Sequence, residues 1–359
     1  MVRASMPSHP LDILAGPDAI TEIREMGLQP GRVRAIVGAS GGPKWLVLSG
    51  LDRVLFPWLL AGAQAPLHAI ASSIGSWRLA ALATADPLAA LERFERAYAR
   101  EQRYDGRPSA AEVSREGARI LDVLLGPDGV LPLVTHATVR LHIVTARFRH
   151  IGALEGRAQW LGLGLAALLN AVARPALRLS VERVVFDAGA DAGPFAPWNH
   201  LPTRHVPLTL DNAYSALCAT AAIPGVMQGV RTPHGAPVGV YRDGGVADYH
   251  FGTEVDVKDG LTLYPHFYSH LVPGYFDKGL RWRRTRGLRR TVLIAPSAEF
   301  VASLPGGKIP DRNDFVRMPE AERLQAWDTV LARSRELGAA FGELVESGDI
   351  RTAVRPLAT

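Results

Sequence analysis

Three short stretches of the chain carry residue types that ester chemistry uses. Two of them set a serine in a turn of small residues: "GASGG" at residues 38–42, a G-x-S-x-G match centred on Ser40, and "LHAIASSIGSWRLAALA" at residues 67–83, with Ser73 at the bend. A serine nucleophile needs a sharp strand-to-helix turn, because its backbone is strained and its neighbours pack closely. Ala71 and Gly75 flank Ser73 as A-x-S-x-G, with an apolar run before and a helical pattern after. The third stretch, "YRDGGVADYH", sets Asp243 before Gly244 and Gly245. A carboxylate there can face a neighbouring hydroxyl with no following side chain in the way, although D-G-G is also a common plain turn.

Something must position these turns. "RVRAIVGAS" from Arg32 runs β-branched and small apolar residues up to the glycine cluster, and from Trp45 to Leu60 the apolar residues return at helical spacing. "PLHAIAS" and "SWRLAALATA" repeat the strand and helix, so the first two turns predict a parallel pair of strands. "VRLHIVTARF", "VERVVFDAG", "TRHVPLTL" and "TVLIAPSAEF" are further strand candidates, separated by helical or turn-rich segments. Alternation of this kind predicts a three-layer α/β/α sandwich around a mostly parallel sheet, in which ligands bind where strands end and helices begin. Residues 87–128 read as a helical insertion and 319–347 as a closing helical segment, and no shift of composition marks a second domain. The Gly/Pro-rich stretch "DAGADAGPFAPWNHLPT" reads as a connection or a lid.

Composition narrows the classes. Among 359 residues, 40 Lys and Arg against 35 Asp and Glu leave a formal charge of +5, too small an excess to imply nucleic acid. The densest basic run, "KGLRWRRTRGLRR" from Lys278, is expected to be a solvated face, with contact to anionic lipid or another polyanion as the alternative. Cys218 is the only cysteine, expected to be buried, so no intrachain disulfide is possible. The first residues lack the apolar stretch of a secretion signal, and a cytoplasmic chain is the expectation. Asp52, Arg53 and Pro57 interrupt the longest apolar segment short of the ~20 residues that a spanning helix needs. A second apolar segment, "WLGLGLAALLNAVA" from Trp160, is expected to be a buried helix, with a membrane-touching cap as the alternative. A Walker phosphate loop is absent, since Pro43 precedes Lys44 and Trp45 follows it, and no G-x-G-x-x-G fingerprint occurs. No metal-ligand spacing stands out among the 11 histidines, and no cofactor is expected.

Taken in order, the three turns resemble the patatin-like phospholipase family. "SGGPKWLVLSGL" resembles that family's G-G-G-x-R-G oxyanion loop and the helix it opens, with Gly50 at a recurrent glycine. "IASSIGS" resembles its nucleophile elbow, "ALCATAAIPGVMQGV" its Ala-Ile-Pro segment, and "YRDGG" its aspartate loop, so the likeness covers residues 32–250. The chain departs from the pattern at Ser40 and Trp45 (each for glycine), Lys44 (for arginine) and Ala71 (for glycine), and "VADYH" follows the aspartate loop.

The resemblance implies a single patatin-like α/β domain and a Ser73–Asp243 dyad hydrolysing carboxylic esters through an acyl-enzyme. It assigns the oxyanion hole to the N–H groups of Gly41 and Gly42, with Lys44, Gly75, Gly244 and Gly245 in support, and leaves Ser40 in the loop rather than at the chemistry. The implied substrate is a lipid or other acyl ester, with peripheral membrane contact. A polyester depolymerase, an acyltransferase or a non-catalytic lipid- or protein-binding module would keep the same residues. A histidine triad using His250 or His68 is the mechanistic alternative.

Overall fold

The computed structural model describes residues 9–358, except 105, 190–192, 196–197, 199–200, 281, 284 and 286–287. Parts of the Gly/Pro-rich stretch and of the basic run therefore lie outside the described residues. The strands are β1 Leu11–Ala15, β2 Val33–Gly38, β3 Leu67–Ser72, β4 Val139–Phe148, β5 Val181–Asp187 and β6 Thr203–Pro207. They continue with β7 Val230–Arg231, β8 Val240–Arg242, β9 Leu261–Pro265, β10 Thr291–Pro296 and β11 Arg355–Pro356. They form one sheet in the order β11-β1-β10-β9-β2-β3-β4-β5-β6, with β8 on β4 and β7 on β8. The sheet is mixed and mostly parallel: β1–β10, β4–β5, β4–β8 and β7–β8 are the antiparallel pairs, and helices flank it.

The register delivers the three turns to one place. Gly38 at the end of β2 pairs with Ala71 at the end of β3, so their loops leave the sheet side by side. Ser72 pairs with Val144 of β4, and Ala146, two residues on, pairs with Arg242 of β8. Asp243 thus emerges next to Ser73 although 170 positions separate them.

Helices hold the loops from above. The helix Ser49–Gly62 crosses the long helix Glu320–Glu346 at a contact that tolerates no side chain. A Cβ at Gly50 would lie 2.2 Å from the Ser334 carbonyl carbon, and one at Gly338 would lie 2.3 Å from the Gly50 oxygen. The Gly50 N–H donates to Ser334 Oγ at 2.9 Å. Trp45, at a glycine position of the resemblance, stacks on Phe94 at 4.1 Å and meets Tyr98 edge-on, so residues of the expected insertion absorb its ring. That insertion is helical from Pro87–Glu95 straight on through Arg96–Arg100 and again over Ala110–Leu125, with a break only between Arg100 and Ala110.

Two further expectations need correction. The helix Arg157–Val172 is not buried all round: Trp160, Leu161, Leu168 and Val172 are 61–78% exposed. Its pattern is apolar on most faces, so periodicity does not reveal which face lacks a neighbour. Cys218 is half-buried rather than buried, and desolvation pushes its thiol up to about 12. Among the described residues one helical stretch, Gly42–Gly62, is long and apolar enough to cross a membrane, and 61% of that window is buried inside the fold.

Candidate active site

Ser73 stands between β3 and the helix Ile74–Leu82 with φ 54° and ψ −135°. A non-glycine residue in that region carries strain on the order of 1–3 kcal/mol, so the surroundings must enforce it. Three contacts do so. The Ser73 N–H donates to Thr220 Oγ1 at 2.8 Å, the Thr220 hydroxyl donates to the Val144 carbonyl at 2.6 Å, and the Ser73 carbonyl accepts from Ser76 N at 2.9 Å. Gly75 lets the β2 backbone approach, since a Cβ there would lie 2.2 Å from the Gly38 oxygen. Ala71 fits because its partner is Gly38, where an added Cβ would come within 3.0 Å of the Ala71 methyl.

The Ser73 hydroxyl donates to Asp243 Oδ2 at 2.6 Å, and the other carboxylate oxygen accepts the Gly245 N–H at 2.7 Å. Gly244 lies flat on β4, since a Cβ there would sit 2.0 Å from the Val144 oxygen. Asp243 is buried, and desolvation raises its carboxyl above the ordinary value. The bonds from Ser73 and Gly245 and the fields of Arg312 and Lys278 oppose that rise without cancelling it. A carboxylate raised in this way is a stronger proton acceptor than a free one.

Ser40 lies elsewhere in the arrangement. Buried, it pairs through Oγ with Ser72 Oγ at 2.7 Å, and Ser72 donates to the Asp248 carbonyl at 2.8 Å. Gly245 leaves room for this link, because a Cβ there would fall 2.5 Å from Ser40 Oγ. Ser40 therefore ties the glycine loop to the residue before Ser73. Gly41 and Gly42 open the 3-10 turn Gly42–Leu48, where the first N–H groups have no acceptor within their own turn, and both are half-buried. Gly42 has φ 57°, and the Phe267 ring fills the space that a side chain at Gly41 would need.

In both histidines of the alternative, Nδ1 has a partner other than Ser73. His250 is buried, its Nδ1 accepts from Val272 N at 3.0 Å, and desolvation holds it well below its ordinary value. His68 Nδ1 is paired with His142 Nε2 at 2.9 Å. Among the described residues, no group of three or more His, Cys, Asp or Glu is arranged to hold a metal ion.

Three residues at the site had no part in the sequence reading of its chemistry. Thr220 is the hydroxyl inside the otherwise small and apolar run "ALCATAA", which is the one signal that could have singled it out. Lys278 and Arg312 arrive from loops far along the chain, and nothing local to them in sequence points here. Thr220→Val removes the acceptor of the Ser73 N–H and leaves the Val144 carbonyl short of a donor. An unpartnered buried group costs about 1–3 kcal/mol. Urea melts are expected to show a loss of that size, while Thr220→Ser restores the stability.

No protein-family model matches the chain, and no curated protein matches it.

Proposed function

We propose that this protein is a patatin-like serine hydrolase that cleaves acyl esters of lipids with a Ser73–Asp243 dyad. The observation that carries the reading is the 2.6 Å hydrogen bond from a serine held at φ 54° to a buried aspartate. In the mechanism, Ser73 Oγ attacks the ester carbonyl carbon as its proton passes to Asp243. The N–H groups of Gly41 and Gly42 receive the developing oxyanion, and each such donor is typically worth about 10²- to 10³-fold in rate. Asp243 then gives its proton to the departing alkoxide, leaving an acyl-enzyme. Water loses a proton to Asp243 as its oxygen attacks the acyl carbon, and Ser73 leaves with that proton.

The lipid part of the reading draws on the helix Arg157–Val172. Its Leu163 and Ala166 pack with Val246, Ala247 and Phe276, directly after the Asp243 loop, while Trp160, Leu161, Leu168 and Val172 face outward. Exposed Arg178 and Trp282 lie beyond it in the chain, a composition suited to the surface of an anionic bilayer.

Labelling with a fluorophosphonate tests the chemistry. The intact protein is expected to label, Ser40→Ala to label in part, and Ser73→Ala to stay unlabelled while folded. Labelling that persists in Ser73→Ala removes the assignment, and a folded wild-type protein that never labels points to the non-catalytic module.

A further inference from the structure

Three cationic side chains surround the glycine loop. The Arg312 stem covers Gly42, its Cγ 3.3 Å from where a Cβ at 42 would stand. Lys44 Nζ lies 5.9 Å from the centroid of the Phe267 ring, the ring that covers Gly41. Lys278 Nζ lies 4.0 Å from the Tyr249 centroid and 4.1 Å from that of Tyr275. Tyr249 belongs to the same frame, because its carbonyl accepts the Ser40 N–H at 3.0 Å.

The carboxylates of this region are already committed. Asp243 is taken by Ser73 and Gly245, and Asp277 by Asn170 at 2.7 Å and Arg174 at 2.8 Å. Asp311 and Asp314 both bind Lys308. Among the described residues, none of Lys44, Lys278 and Arg312 forms an ion pair within 4.0 Å; Asp311 and Asp314 act on Lys44, and Asp243 on Lys278 and Arg312, only at longer range. Lys278 is exposed; desolvation first, then Arg312 and Lys44, lower it to about 7. Desolvation also lowers Lys44, with Asp311 opposing and Arg312 adding to the shift. Like charges gathered beside a reactive serine are unfavourable unless an anion joins them.

We propose that Lys44, Lys278 and Arg312 form a subsite for an oxyanion, carboxylate or phosphate, carried by the substrate close to the ester bond that is cleaved. That the anion belongs to a substrate rests on the Ser73–Asp243 reading; the subsite itself rests on the three cations. Arg312 presents a planar fork suited to two oxygens of one group, and the lysines add point charges. The preferred substrate is therefore an ester bearing its own negative charge, not a neutral glyceride.

Two measurements on the full chain test this. The first compares kcat/KM within two pairs: 4-nitrophenyl valerate with mono-4-nitrophenyl glutarate, and a 1-monoacylglycerol with its 3-phosphate. The charged member of at least one pair is expected to lead by about tenfold or more. The glutarate pair reports an anion on the acyl side, the phosphate pair one on the alcohol side. Arg312→Met and Lys278→Met are expected to bring the ratio near one, whereas Arg312→Lys and Lys278→Arg keep a clear preference. The second titrates inorganic phosphate into Ser73→Ala by calorimetry, with binding expected there and lost on adding Arg312→Met. Phosphate binding without turnover of any ester keeps the subsite and removes the hydrolase reading. Ester turnover with no charge preference and no phosphate binding overturns the subsite, as does a preference that survives both methionine variants.

Discussion

Asp243→Asn is expected to lower kcat/KM for an activated ester by about 10³- to 10⁴-fold, the scale seen when the base of a serine nucleophile is disabled. The same substitution is expected to raise the melting temperature at pH 8. Burial lifts the Asp243 carboxyl above its ordinary 3.8, so between that value and the folded one the native state binds a proton that the unfolded chain has released. Stability then falls as pH rises through that window, and above it the folded protein carries the full penalty of a buried carboxylate. Asparagine keeps the shape, its oxygen able to accept the Gly245 N–H and its amide able to donate to Ser73 Oγ, but carries no charge. Melts of the two proteins should therefore separate at pH 8 and converge below about pH 4. In the parent, the acid limb of kcat/KM should lie above the ordinary carboxylate range. A residual activity near that of the parent would remove Asp243 as the base, and a melting temperature lowered at pH 8 would mean that Arg312 and Lys278 outweigh desolvation.

The sequence exposed those parts of this arrangement that are local in the chain. β4 occupies the ten residues of "VRLHIVTARF", and β2 and β3 form the parallel pair, because buried strands write themselves as continuous β-branched runs. β1, β7, β8, β9 and β11 carry no such signal. β7, β8 and β11 are only two or three residues long, too short to show a period, and "LDILA" and "LTLYP" are brief runs that only their neighbours make into strands. The glycines explain why the motifs depart from the familiar pattern without losing their shape. Ala71 is compatible with a tight bend because Gly38 faces it, a compensation that lies in another strand. The same holds for charge: Lys278 reads as one more residue of a solvated basic run, and only the fold sets it between Tyr249 and Tyr275 and near Arg312.

Arg78→Met is expected to cost about 3–5 kcal/mol of stability at pH 8, the range for removing one partner of a buried ion pair. Arg78 lies on the helix that begins after Ser73, and Asp52 on the helix that follows the glycine loop; both side chains are almost fully enclosed. Arg78 Nη2 donates to Asp52 Oδ1 at 3.1 Å, and its Nη1 reaches the Pro265 carbonyl of β9 at 3.5 Å. The pair thus clamps the helix that follows the candidate oxyanion loop to the helix that follows the candidate nucleophile, so kcat/KM should fall along with stability. Desolvation raises the Asp52 carboxyl to about 6 even with Arg78 beside it. A carboxyl raised on folding withdraws stability as pH climbs from its ordinary 3.8 to that folded value. Without the guanidinium the folded value rises further and the window extends upward. The deficit of Arg78→Met should accordingly be small at pH 5, where Asp52 is mostly protonated, and complete at pH 8. Asp52→Leu combined with Arg78→Met removes both charges and should recover most of the loss, since it leaves no uncompensated ion in the core. Urea melts of the single and double variants at the two pH values decide the matter. A deficit independent of pH, or a double variant as unstable as the single one, would show that Arg78 acts through its packing and its bond to Pro265 rather than through Asp52.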